Sequence, residues 1–247
     1  MALSKVGGNQ IDTVSGDLTV DTNTLVVDST NNKVGIGTTS PTYQATVFGS
    51  SQSTVEIESG SDTGESRLYF TDPSTTGVGE IGYYHNGNTM RFQVNGAERM
   101  RISSAGEITK PSQPAFSATA SINDIPLTTL TTVPLSSERF DVGSNLASNT
   151  FTAPITGKYL FTYMFYFFDV DTDHTTLDIH IKTSNKQYQQ TFSPDHFVDT
   201  DTLFSVSSSV IADMDANDTM FYAVYTAGGA AQTSIHSDSQ VSGCLLV

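Results

Sequence analysis

Two acidic stretches carry the residues best suited to chemistry. In Asp169-Val170-Asp171-Thr172-Asp173-His174 three carboxylates alternate along the chain, and alternate carboxylates in an extended loop can converge on one hard cation such as calcium. The sixth position is His174, not the glycine of an EF-hand, and the twelfth is His180, not an acid. An EF-hand is therefore excluded, and two readings of Asp169, Asp171 and Asp173 stand: a looser calcium site shared between copies of the chain, or a solvated acidic turn. The second stretch holds Asp195, His196, Phe197, Asp199 and Asp201, with Phe192 just before it. Aromatic faces beside carboxylate and imidazole groups suit sugar recognition, the ring lying on C–H bonds while the polar groups bond hydroxyls.

Other chemistry has less support. The five histidines, His85, His174, His180, His196 and His236, form no His-x-His or His-x-x-x-His pair, so a transition-metal site is weakly indicated. His180 alternates with Ile179 and Ile181 and is expected to face outward from a strand. No Gly-x-Ser-x-Gly elbow occurs, and Gly35-x-Gly37 lacks the helix that a phosphate loop requires. Paired carboxylates for glycoside hydrolysis depend on a three-dimensional separation and stay open. Cys244, the sole cysteine, rules out an intrachain disulfide and reads as a buried, inert thiol. No catalytic residue is assigned, and the chain is expected not to be an enzyme.

Composition narrows the partners. The formal charge is −15 with only 11 Lys and Arg, which disfavours nucleic acid and anionic membranes through repulsion. Every Glu lies at or before Glu138, and the 12 acidic residues from Asp141 onward are all Asp. Aspartate is a turn residue, so the charge of the second half is expected on loops. Ser and Thr number 65 and Gly 19, with no amphipathic helix in view; this favours strands and turns.

The elements that must position the acidic loops centre on Gly157–Phe168. Tyr159, Phe161, Tyr163, Phe165, Tyr166, Phe167 and Phe168 crowd one run, so both faces of an extended strand are apolar, as in an inner or interface strand. About ten residues are too few to span a bilayer, which takes roughly 20, and no membrane insertion is expected. Further strands are expected at 126–135, 175–183, 186–192, 202–211, 219–226 and 241–247. Upstream, Asn86-Gly87 and Asn95-Gly96 mark tight hairpins between alternating runs.

Two resemblances follow from particular blocks. Pro114-Ala115-Phe116-Ser117-Ala118, Phe140-Asp141, Phe151-Thr152-Ala153-Pro154, Gly157-Lys158-Tyr159-Leu160-Phe161 and Ser242-Gly243-Cys244-Leu245-Leu246 resemble, in order and spacing, the head domains of complement and tumour-necrosis-factor-like proteins. That resemblance implies a jelly roll that assembles as a compact trimer and binds ligands through surface loops. Cys244 stands where that family usually carries an aromatic residue. The phrase Val27-Asp28-Ser29-Thr30-Asn31-Asn32-Lys33-Val34-Gly35-Ile36-Gly37-Thr38-Thr39-Ser40-Pro41 is similar to a repeat of bacteriophage tail fibres and tailspikes. Tyr83-Tyr84-His85-Asn86-Gly87-Asn88 and Asn95-Gly96-Ala97-Glu98-Arg99-Met100-Arg101-Ile102 resemble segments that follow it there. These likenesses imply a homotrimeric fibre of a virion.

The expected organisation is all-β: a leader at 1–16 that attaches to a virion tail or baseplate protein, a trimeric β stalk at 17–44, a hairpin meander at 45–110 and a jelly-roll head at 111–247. The leader lacks the apolar core of a secretion signal, so synthesis in a host cytoplasm is expected. The expected function is non-catalytic, multivalent adhesion to host-surface glycan. The alternatives are a decoration or whisker fibre of the virion and a polysaccharide-depolymerising tailspike.

Overall fold

The computed structural model describes residues 18–20, 24–196 and 202–246. Its described regular structure is almost entirely strand, as the shortage of helix formers and the abundance of β-branched and turn residues dictate. The chain divides into two compact units, one of residues 1–68 with 82–89, the other of residues 69–81 with 90–247.

In the first unit β1 (Leu18–Val20), β2 (Leu25–Asp28), β3 (Lys33–Ile36) and β4 (Ala45–Val47) form one sheet in that order. β2 and β3 make a hairpin whose turn Asp28 organises, accepting from the backbone N–H groups of Thr30 (3.1 Å) and Asn31 (3.0 Å). The Asn31 side-chain amide also donates to the Asp28 carboxylate (2.8 Å) and contributes most to holding it below the usual carboxylate range, with the two backbone bonds adding to the effect. β4 joins β3 in parallel, Val34 opposite Ala45 and Ile36 opposite Val47.

Next come β5 (Glu65–Phe70), β6 (Gly79–Tyr84), β7 (Thr89–Val94), β8 (Ala97–Ile102) and β9 (Ile108–Thr109). The β7–β8 hairpin turns at Asn95 (φ 54) and Gly96 (φ 68), the two positive-φ positions that an Asn-Gly turn supplies. In the preceding turn the positive angles fall on Gly87 and Asn88.

The rest of the second unit is a two-sheet sandwich built from β10 (Ala115–Ile122), β11 (Thr131–Thr132), β12 (Leu135–Val142), β13 (Leu146–Ala147), β14 (Thr150–Thr152), β15 (Gly157–Val170), β16 (His174–Thr183), β17 (Gln187–Phe192), β18 (Thr202–Met214), β19 (Thr219–Gly228) and β20 (Ser234–Leu245). One sheet runs β12-β10-β20-β15-β18; the other runs β13-β14-β19-β16-β17, with β11 on β19. From β14 onward the chain alternates between sheets, apart from the β16–β17 hairpin, which is the antiparallel jelly-roll pattern.

β15 is the inner strand that its aromatic run demands. It lies between β20 and β18 and buries Tyr159, Phe161, Tyr163, Phe165 and Phe167 in the sandwich. Each buried aromatic ring contributes on the order of 2–3 kcal/mol of transfer free energy. Phe151 of β14 meets Phe116, Tyr159 and Phe161 at centroid distances of 5.2, 5.5 and 5.6 Å. Tyr222 of β19 bolts the sheets together, its buried hydroxyl directed at the carbonyls of Thr162 (2.8 Å) and Ser242 (2.9 Å) on the facing sheet. Burial pushes its ionisation well above the usual phenol range.

The strand expected at 126–135 is corrected. Within it only Thr131–Thr132 and Leu135, the first residue of β12, are strand, with a lone bridge from Leu127 to Thr226. Pro126 and Pro134 bound the run and Thr128 takes a positive φ of 55, conditions that interrupt a ladder in spite of the β-branched residues.

Candidate functional site

The loop from β15 to β16 carries the first set of candidate ligands. Asp169 has a positive φ of 51 and is exposed, at the irregularity that interrupts the β15–β18 register between Phe167 and Val170. Asp171, in contrast, is buried. Its carboxylate accepts from the backbone N–H groups of Asp173 (2.9 Å) and Ala230, and the bond from Ala230 is the main cause of an acidity stronger than a usual aspartate. Gly229 makes this approach possible, because a Cβ there would lie 2.4 Å from the Asp171 carboxylate.

His174 completes the clasp. Fully buried, it places Nδ1 2.7 Å from the Gly228 carbonyl and Nε2 2.8 Å from Thr233 Oγ1. A carbonyl only accepts, so Nδ1 carries the proton, and in the neutral ring Nε2 accepts from the Thr233 hydroxyl. Thr233 Oγ1 in turn accepts from the Asp171 N–H at 3.1 Å. The loop of residues 169–174 is thereby locked to that of residues 228–233.

Asp169, Asp171 and Asp173 thus take different directions, and among the described residues no group of three or more His, Cys, Asp or Glu side chains converges as a metal site. The Asp171 oxygens are directed at backbone N–H groups instead.

For the second set, Pro194–His196 form a short 3₁₀ turn that leaves Asp195 and His196 exposed, with His196 Nδ1 3.1 Å from an Asp195 carboxylate oxygen. Phe197, Asp199 and Asp201 lie outside the described residues. Phe192 is turned inward: its ring packs on Phe204 at 6.2 Å, and Phe204 stacks on Phe167 at 5.2 Å.

His180 does lie on the face of β16 opposite Ile179 and Ile181, yet it is only 3% exposed. Neither ring nitrogen has a hydrogen-bond partner, nor has Oδ1 of the neighbouring Asp178. Burial lowers the basicity of His180 below its ordinary value, with Asp178 opposing that effect. Cys244 is half-buried and free. A cavity of about 50 Å³ beside Tyr163, Gln190 and Ser208 has room for water only, and burial pushes the Tyr163 hydroxyl up to about 12.

Sequence reasoning missed a larger feature. On the β12-β10-β20-β15-β18 sheet, the face turned away from the sandwich presents Leu160, Thr162, Met164 and Tyr166 of β15. Its register places them beside Ser205, Ser207, Ser209 and Ile211 of β18 and Gln240, Ser242 and Cys244 of β20. None of these residues is Asp, Glu, Lys or Arg, in a chain of which 15% is charged; Met164 and Ile211 are exposed. The signal was present as the Ser-x-Ser-x-Ser alternation of residues 205–209 opposite the second face of β15.

No family model matches the chain, and no curated protein matches it. Solved structures similar to it include the globular domain of zebrafish complement 1qA protein, 15% identical over 55% of this chain and 98% of that one, TM-score 0.41. Murine APRIL is 13% identical over 54% of this chain and 99% of that one, TM-score 0.39. Eiger TNF from S. frugiperda is 17% identical over 55% of this chain and 94% of that one, TM-score 0.39.

Proposed function

We propose that this chain is a homotrimeric, non-catalytic fibre protein of a bacteriophage virion, held to the tail or baseplate by its N-terminal leader, whose jelly-roll head adheres to host-surface glycan. The observation that carries the multimeric reading lies in the first unit. By register, Leu25, Val27, Val34, Ile36, Ala45 and Val47 share one face of the β1–β4 sheet. All six are apolar, yet Val34, Ile36 and Val47 are 36%, 49% and 37% exposed. A small sheet with an apolar face and nothing over it is unstable alone, and association of identical copies is the economical cover. The central part of the head sheet's outer face, from Leu160 to Tyr166 with its neighbours on β18 and β20, carries no Asp, Glu, Lys or Arg and favours association for the same reason. Threefold symmetry, the virion and the glycan come from the resemblances of the repeat phrase and the head blocks.

Adhesion then works by multiplicity. Three weak sites on one tip raise avidity by roughly 10²–10⁴ with no new contact, so exposed loops such as that of Asp195 and His196 need bind only weakly. Calcium remains a proposal solely as an ion shared between copies by exposed Asp169 or Asp173. The test is solution mass by light scattering, followed by binding to purified host polysaccharide. A mass three times 26.5 kDa with saturable binding is expected. A monomer overturns the fibre; a trimer that ignores polysaccharide, from particles that adsorb normally without it, points to the decoration reading.

A further inference from the structure

In the segment Gln52-Ser53-Thr54-Val55-Glu56-Ile57-Glu58 the last four residues alternate apolar and acidic, with the period of a half-buried strand. Val55 and Ile57 are β-branched and belong on a covered sheet face. In the chain they are 70% and 48% exposed. The run takes no regular secondary structure and belongs to no sheet. Among the described residues, no backbone N–H or C=O of residues 52–58 has a backbone partner.

Backbone groups pair somewhere, with chain, side chain or water. Water would satisfy them here, but it would leave Val55 and Ile57 uncovered and give the alternation no purpose. Serine and glycine lie on both sides, at Gly49-Ser50-Ser51 and Ser59-Gly60-Ser61, and a Cβ at Gly60 would meet nothing within 4 Å. Such flanks leave the run free to depart from its own chain.

An acceptor of matching character exists in the same unit. β4 closes one side of the four-stranded sheet, and among the described residues no strand pairs with its outer edge; Tyr43, Val47 and Phe48 beside that edge are exposed. An open edge with apolar flanks is a template for strand addition.

We infer that residues 52–58 are an intersubunit strand, adding to the open edge of β4 in a second copy of this chain, with Val55 and Ile57 on its apolar residues and Glu56 and Glu58 toward water. The inference rests on the homomeric reading above and names the segment that makes it. Placing both acids on the solvent side keeps like charges out of the contact, whereas a register shifted by one residue would bury them.

The experiment is hydrogen exchange by mass spectrometry on the full chain, with light scattering of the same sample. The expected result is a multimer whose amides at 54–58 exchange about a hundredfold more slowly than those of an unstructured peptide. Glu56→Pro, which removes one donor and restricts its neighbour, is expected to abolish that protection. A multimer whose 54–58 amides exchange at the peptide rate overturns the intersubunit strand and leaves the homomeric reading standing; a monomer overturns both. Protection in the wild type that survives in Glu56→Pro and in Val55→Pro alike would also count against it, because of two successive N–H groups one must point at the acceptor edge.

Discussion

Replacing Gly243 by alanine isolates packing from every other term. Gly243 sits on β20 opposite Phe116 of β10 and Phe161 of β15, and its φ is not positive, so alanine fits the backbone without strain. A Cβ there would lie 2.6 Å from Phe116 Cε1, 2.6 Å from Phe161 Cδ1 and 2.9 Å from Phe161 Cε1. Ordinary contact is about 3.5–4.0 Å, so both rings must retreat by on the order of 1 Å. Neither is free to: Phe116 stacks on Phe151, which also meets Tyr159 and Phe161, and all four rings are buried. Overpacking of this kind costs about 1–3 kcal/mol, and the rigid cluster argues for the upper half. Alanine recovers about 0.4–1 kcal/mol by narrowing the unfolded ensemble. The net expectation is a loss of about 1–2.6 kcal/mol, read as a lower urea midpoint with unchanged slope at fixed protein concentration. Adding Phe116→Leu should return part of it. A Gly243→Ala midpoint equal to or above wild type would refute the reasoning, because the term that favours alanine, about 0.4–1 kcal/mol of unfolded-state entropy, is too small to mask a clash of that size.

Tyr222→Phe removes the hydroxyl directed at Thr162 and Ser242 without changing ring volume and should cost about 1 kcal/mol in the same assay; no loss would mean that the hydroxyl does not tie the sheets. Thr233→Val deprives His174 Nε2 of its donor and the Asp171 N–H of its acceptor. Its cost is expected at about 1–3 kcal/mol, with faster amide exchange confined to residues 169–174 and 228–233, whereas uniform acceleration would point to global destabilisation. His180 gives a pH signature. Its basicity is lowered in the fold from an ordinary value of 6.5, so the unfolded chain takes the proton first, and stability present above 6.5 declines as pH falls toward the folded value. His180→Gln should flatten the thermal midpoint in that window while leaving the further loss below 3.8, where the strengthened acidity of Asp171 acts; an unchanged profile would remove His180 from the account. Alanine at both Asp195 and His196 should weaken adsorption to host cells in an intact trimer, and undiminished adsorption would clear that turn of a role.

What could be read in the sequence was what local pattern decides. The aromatic alternation of β15 fixes a buried strand, Asn95-Gly96 supplies its own turn angles, and the five short head blocks fall on or beside β10, β12, β14, β15 and β20. What could not be read depends on partners distant in sequence. Asp171 has the look of a cation ligand until Ala230 and Thr233, 59 and 62 residues away, claim its carboxylate and its N–H. His180 was placed on the correct face, but nothing local shows that this face is covered. The run 126–135 failed because β-branched residues report willingness to extend, while Pro126 and Pro134 determine whether a ladder can be completed.

The position of β20 has a consequence for assembly. It is the last strand of the sandwich in sequence and yet a central one in space, its Cys244 pairing at once with Ala115 of β10 and Leu160 of β15. Without β20, β10 and β15 would be two separate edges with an open slot between them. Closing that slot depends on contacts of long sequence separation, and an open slot of this kind is where a strand of a neighbouring chain can enter by mistake.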